Sequence, residues 1–270
     1  MGAAVRAGDV RLWVEQRGSG PEVLLVNGGG DPLEAWQAQL DGLSDRYRLI
    51  AFDNRDVGRS TRPDLAYTVA DLADDAAGVL LECGAGPAHV VGYSGGGVIA
   101  QELALRHPDT VRSLVLVGTW GRPDVRWHHV VGSWLWMAER APSERAFLEA
   151  FFAWAYTHRA HEDGRVDRTI EAALAFPYPQ SSESFQRFAD AFWDHATLDR
   201  LPRIAVPTLV LTGSADPIAP PDYGRAVAEA VPGARFELIE GQAHAPFEEV
   251  PEEFNRRLDA FWREVPDLPR

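Results

Sequence analysis

Apolar and polar residues alternate through Ala4–Ala7 and Val10–Gln16, on either side of Gly8-Asp9, a pattern that predicts a β-hairpin. The periodicity then changes. Glu22–Val26, Arg48–Phe52, His89–Tyr93 and Val111–Val117 are short, nearly continuous apolar runs, as expected of strands covered on both faces. Between them the apolar spacing is helical: Leu33, Trp36, Leu40 and Leu43 share one face of a helix over 33–43. Val69, Leu72, Ala76, Val79 and Leu80 do the same over 68–83. A further helix follows Ser94 and stops at His107-Pro108. The same alternation resumes late in the chain, with strands at Val206–Thr212 and Arg235–Ile239 and helices at 221–230 and 249–264. Strand–helix alternation of this kind predicts an α/β fold: a mostly parallel sheet with helices on both faces and ligands at the carboxyl ends of the strands.

The alternation is interrupted between Trp120 and about Pro202. That stretch is helical in pattern and holds six of the nine tryptophans, at 120, 127, 134, 136, 154 and 193. It reads as a helical cap inserted over the carboxyl edge of the sheet (120–202), with 1–119 and 203–270 forming the core. Pro142, Pro177 and Pro179 separate its helices. Most of its rings would build the cap's own small core, but its underside must cover something, and a substrate pocket is the usual answer. Trp120, Trp134 and Trp154 are the candidate substrate-binding residues.

The candidate chemistry lies at the strand ends. Gly92-Tyr93-Ser94-Gly95-Gly96 joins a strand to a helix, which is the nucleophile-elbow pattern: the turn strains the serine, and the glycines let strand and helix approach. A serine hydroxyl needs a base, and the base needs a carboxylate to hold its tautomer. Asp216 follows one late strand and His244 the next, giving the chain order serine, acid, histidine. Ser94 is therefore the expected nucleophile, His244 the general base and Asp216 the orienting carboxylate, with Asp199 and Asp222 in reserve. The oxyanion donors would be the N–H groups of Gly95 and of Gly29 in the loop Asn27-Gly28-Gly29-Gly30, with Gly30 in reserve. Asp53 and Arg55 would form a structural brace beneath the site. His158 and His161 resemble a metal pair only superficially, and no metal is expected.

Composition narrows the setting. Hydrophobic residues at 46% and charged residues at 24% are ordinary for a soluble globular chain. A net charge of −14 argues against nucleic acid or an anionic membrane surface as partner. The surplus chiefly solvates outer helix faces, and it favours neutral or cationic small ligands over anionic ones. The single cysteine, Cys83, excludes an internal disulfide and a cysteine-built zinc site. No segment looks like a signal peptide or a membrane span, so a cytoplasmic location is expected; a homodimer is compatible with the sequence.

Taken together, Gly-Tyr-Ser94-Gly-Gly, the Asn-Gly-Gly loop with Trp36 downstream, the segment 53–60, Thr-Gly-Ser-Ala-Asp216-Pro and Gly-Gln-Ala-His244 resemble the α/β-hydrolase superfamily along nearly the whole chain. The resemblance implies an eight-stranded, mostly parallel sheet with a cap after the sixth strand, and no cofactor. Two positions depart from its pattern. Asn27 stands where the first loop usually has histidine, and Asp56 stands where many relatives have glycine. The second variant is similar to the branch of small-molecule esterases that contains the anthracycline methylesterases and lactonases. The expected activity is serine hydrolysis of a small, largely apolar or aromatic ester or lactone through an acyl-enzyme. Carbon–carbon bond hydrolysis and a cofactor-free perhydrolase reaction could use the same triad, and a ligand receptor could retain it without turnover.

Overall fold

The computed structural model of the chain describes residues 2–266. Eight strands form one sheet in the order β1-β2-β4-β3-β5-β6-β7-β8. β1 (Gly2–Ala7) and β2 (Val10–Arg17) make the hairpin at one edge, and β2 runs antiparallel to β4. β3 (Glu22–Val26), β4 (Arg48–Phe52), β5 (Ala88–Tyr93), β6 (Val111–Val117), β7 (Thr208–Gly213) and β8 (Arg235–Ile239) are all parallel. Their side chains are buried on both faces from β3 to β7, which is why those sequences are apolar without alternation.

Each helix ends where its sequence directs. A 3-10 turn at Leu33–Trp36 precedes α1 (Gln37–Leu43), so the helix expected over 33–43 is tighter in its first half. α2 (Val69–Glu82) begins with a capping box, in which the Thr68 side chain accepts from Asp71 N–H and Asp71 accepts from Thr68 N–H. Cys83 is buried at its C-terminus. α3 (Gly95–Arg106) follows the elbow.

Five helices fill the segment between β6 and β7: α4 (Val125–Arg140), α5 (Glu144–Ala155), α6 (His158–Glu162), α7 (Arg165–Ala175) and α8 (Ser182–Phe192). Prolines lie in two of the breaks between them. The breaks on either side of α6 have other causes: Thr157 caps α6, and Gly164 takes a left-handed φ of 71° ahead of α7. After β7 come α9 (Pro221–Ala230), α10 (Pro246–Glu249) and α11 (Pro251–Glu264). The last helix expected over 249–264 is α11, which starts at Pro251 because a proline fits the first helical position, and the short α10 precedes it. Among the described residues no helix is long and apolar enough to cross a membrane.

The strand order positions the site. From β3 the chain steps to β4 on one side, while β5 lies on the other, so the loops after β3 and β5 diverge and leave a crevice at their carboxyl ends. The glycine loop and Ser94 meet there.

Candidate active site

Ser94 is one of two described non-glycine residues with positive φ, at 55° (ψ −123°), and the sharp turn that this conformation makes lifts its side chain off the end of β5. The turn is pinned from three sides. Ser94 N–H donates to Val117 O at 2.8 Å, its carbonyl accepts from Gly97 N–H at 2.9 Å, and Thr119 Oγ1 donates to the same carbonyl at 2.8 Å. A Cβ on Gly28 would lie 2.7 Å from Ser94 Cβ, and one on Gly92 or Gly96 would overlap backbone, so these glycines serve close approach.

His244 and Asp216 complete a chain of three side chains. Asp216 Oδ2 lies 2.8 Å from His244 Nδ1, and Oδ1 accepts from the N–H groups of Ile218 and Ala219 at 2.8 and 3.0 Å. An ionised carboxylate only accepts, so Nδ1 carries the proton and Nε2 is the acceptor. Nε2 is 3.0 Å from Ser94 Oγ. His244 and Asp216 are both nearly fully buried. The loop holding His244 is held in turn by the helical insertion: His244 N–H donates to Ala155 O, at the end of α5, at 3.0 Å. The reserve acid Asp199 pairs with Arg122 on the surface, away from this chain.

Gly29 and Gly95 line the cavity beside Ser94, whereas Gly30 lies on a wider chamber outside it with φ of 92°. Asn27, in the place of the usual histidine, uses its amide to hold the loop: Nδ2 donates to Pro32 O at 2.8 Å. The expected brace is built differently. Arg55 pairs with Asp75 through two bonds of 2.6 and 2.7 Å, while Asp53 accepts from the N–H groups of Leu33 and Arg59 and so ties the first loop to the 53–60 loop. The sequence offered Asp53 as partner because it was near in the chain; the fold brings Asp75 closer.

Above Ser94 lies a cavity of about 80 Å³. Trp120 and Trp134 line it together with Trp127, Phe188, Phe192 and Ile218. Trp154 does not: it stands on the outer face of α5, more than a third exposed, so its assignment to the pocket is corrected. The helical pattern shows the stripe on which a ring sits, but not which of two apolar stripes faces inward. Arg187 on α8 grips Asp56 with bonds of 3.1 and 2.7 Å, and Gln180 Nε2 donates to Asp56 O at 3.1 Å. Asp56, the other positive-φ residue (67°), therefore anchors the insertion to the sheet. His158 is exposed and pairs with Glu162.

Five residues of the site had escaped sequence reading. Gly118 has φ of 51°, and a Cβ there would come within 3.1 Å of His244 Nδ1. The Tyr93 ring lies 4.9 Å from the His244 ring, tilted 49° to it. Asp31, Glu248 and Tyr156 line the cavity. Burial lifts the Asp31 carboxyl to about 6, partly offset by His244, and lifts Glu248 to about 7, where the Tyr156 hydroxyl donates to it. Asp31 had the look of a turn residue before Pro32, and Glu248 of one more acid at a helix start.

Three comparisons bear on this geometry. The sequence profile of the α/β-hydrolase fold matches residues 21–251. A protein of Azorhizobium caulinodans named "Putative carbamate hydrolase RutD" is 32% identical over 261 residues, covering 96% of this chain and 97% of its own. The enol-lactonase from Burkholderia xenovorans superimposes with a TM-score of 0.88 at 25% identity, over 97% of this chain and 100% of that one. "Putative non-heme bromoperoxidase BpoC" from Mycobacterium tuberculosis does so with a TM-score of 0.84 at 28% identity, over 95% and 97%.

Proposed function

The chain belongs to the α/β-hydrolase fold family, and on that premise we propose that it is a serine hydrolase of a small, largely apolar or aromatic ester or lactone. The observation that carries this reading is the hydrogen-bonded chain Ser94–His244–Asp216, ending at a strained serine in the wall of an aromatic cavity.

Ser94 Oγ attacks the carbonyl while His244 Nε2 takes its proton. Asp216 keeps the other nitrogen protonated and stabilises the imidazolium. The N–H groups of Gly95 and Gly29 receive the oxyanion, a contribution of about 3 kcal/mol per donor. His244 then returns the proton to the leaving oxygen, and a water activated by His244 releases the acid from the acyl-enzyme. The segment 120–202 acts as the cap that shapes the acyl and alcohol pockets, and 1–119 with 203–270 acts as the catalytic core. The names of the relatives, enol-lactonase and carbamate hydrolase among them, agree with acyl transfer to water.

Hydrolysis of 4-nitrophenyl butyrate tests the reading. The parent protein should show a burst of one 4-nitrophenolate per chain, and Ser94→Ala should lose activity by about 10³-fold or more while melting like the parent. An unchanged rate in Ser94→Ala overturns it.

A further inference from the structure

The cavity over Ser94 opens into a second, solvent-open chamber of about 1100 Å³ between α5, α7 and the loop after β3. The residues common to both chambers mark the neck between them. Besides Gly29 they are two carboxylates, Asp31 and Glu248, and four rings, Phe151, Phe152, Tyr156 and Phe185.

The polarity of this neck is unusual for the interior. The Asp31 carboxylate accepts no hydrogen bond and forms no ion pair among the described residues, and it stands half-buried in the wall shared by both chambers. Glu248 accepts from the Tyr156 hydroxyl alone. The Arg165 guanidinium on α7 is turned to the backbone: its Nη1 donates to the carbonyls of Glu248 and Glu249. Two buried carboxylates nearby have an arginine partner that these two lack, Asp75 with Arg55 and Asp56 with Arg187. Leaving two beside each other without a cation is costly unless something else supplies one. A metal ion is a poor candidate, since among the described residues no three groups capable of holding one come together. The ring faces supply the missing half of the argument. Aromatic rings grouped around carboxylates attract an organic cation by quadrupole and by charge at once, and tolerate its apolar substituents.

We propose that the neck recognises an ammonium group, so that the substrate of the Ser94 site joins a cationic head at Asp31 and Glu248 to an apolar or aromatic body in the inner cavity. This extends the hydrolase reading by naming the substrate class of the same site. It also assigns Asp31 and Glu248 as specificity residues, separate from the triad.

Titration calorimetry with a matched pair of ligands tests the proposal without turnover: [4-(hydroxymethyl)phenyl]trimethylammonium and 4-tert-butylbenzyl alcohol, which have the same shape and differ in charge. At pH 8.5, with both carboxylates ionised, the cation should bind at least about ten-fold more tightly than its neutral twin. Asp31→Asn and Glu248→Gln should each lower that ratio by about three-fold or more, and the double variant should bring it close to one. The substitutions keep side-chain shape, and melting curves confirm the fold. Equal affinities in the parent overturn the proposal. So does a preference that survives in the double variant, which would place cation binding on the acidic outer surface instead. Because affinity is read with the serine idle, a silent esterase assay and a missing cation preference remain separate results.

Discussion

The sheet edge and the helical insertion build the two halves of one site by different means. At the sheet edge each side chain of the proposed triad has its position fixed twice over. Ser94 is held by three backbone-directed bonds, and Asp216 receives two N–H groups as well as His244. In the insertion the site is made of surface shape: rings from α4, α5 and α8 packed edge to face, such as Trp134 on Phe151 at 4.9 Å and Phe147 on Phe185 at 6.1 Å. Rings tolerate exchange as long as volume is kept, whereas a hydrogen-bonded chain does not. The edge therefore suits a fixed reaction and the insertion a variable substrate.

The largest effect should come from breaking the fixed half without moving an atom. Asp216→Asn retains the shape and the two N–H contacts on Oδ1, but its amide can present a donor to His244 Nδ1 and so favour the tautomer with the proton on Nε2. The serine then has no acceptor. Steady-state hydrolysis of 4-nitrophenyl butyrate should fall by about 10³- to 10⁴-fold with little change in KM, a split that a folding defect would not produce. A loss below ten-fold would mean that His244 is oriented by the Ala155 and Tyr93 contacts instead.

The two halves also differ in how far sequence reveals them. The parallel strands could be read because burial on both faces leaves no polar position, and the meeting of Ser94, His244 and Asp216 because their order along the chain follows from the strand order. Gly118 could not be found that way: its need for a missing Cβ comes from His244, 126 positions later in the chain. Arg55 was given the wrong partner for a similar reason, since proximity in sequence says nothing about where α2 sets Asp75. In the insertion, aromatic content announced a pocket, yet Trp134 and Trp154 look alike in the sequence and lie on opposite sides of their helical layer. Asp31 and Glu248 were hidden because turns and helix starts are full of acids for ordinary reasons.

A middle-sized effect should separate those two tryptophans. Trp134→Leu enlarges the inner cavity and removes the ring opposite Phe151. It should lower kcat/KM for a bulky aryl ester by about ten-fold and leave the acetate ester within about three-fold. Trp154→Leu should leave both within about two-fold. If Trp154→Leu shifts the preference and Trp134→Leu does not, the cavity is lined by the other face of the insertion.

The smallest effect concerns the place where the two halves meet, and it runs opposite to the others. Asp31 titrates near 6 when folded, above the ordinary aspartate value, because its charge is buried. The native state thus holds the proton more tightly than the unfolded chain, and its contribution to stability is present below about pH 4 and lost as pH rises through 6. Asp31→Asn removes that charge. Urea denaturation at pH 8 should find the variant about 1 kcal/mol more stable than the parent, and the gap should close between pH 6 and 4, where the parent carboxyl becomes neutral. A variant less stable at pH 8 would show that Asp31 has a partner in the free protein. A stabilised variant with a weakened cation preference would instead identify the carboxylate as a group kept for binding at the expense of the fold.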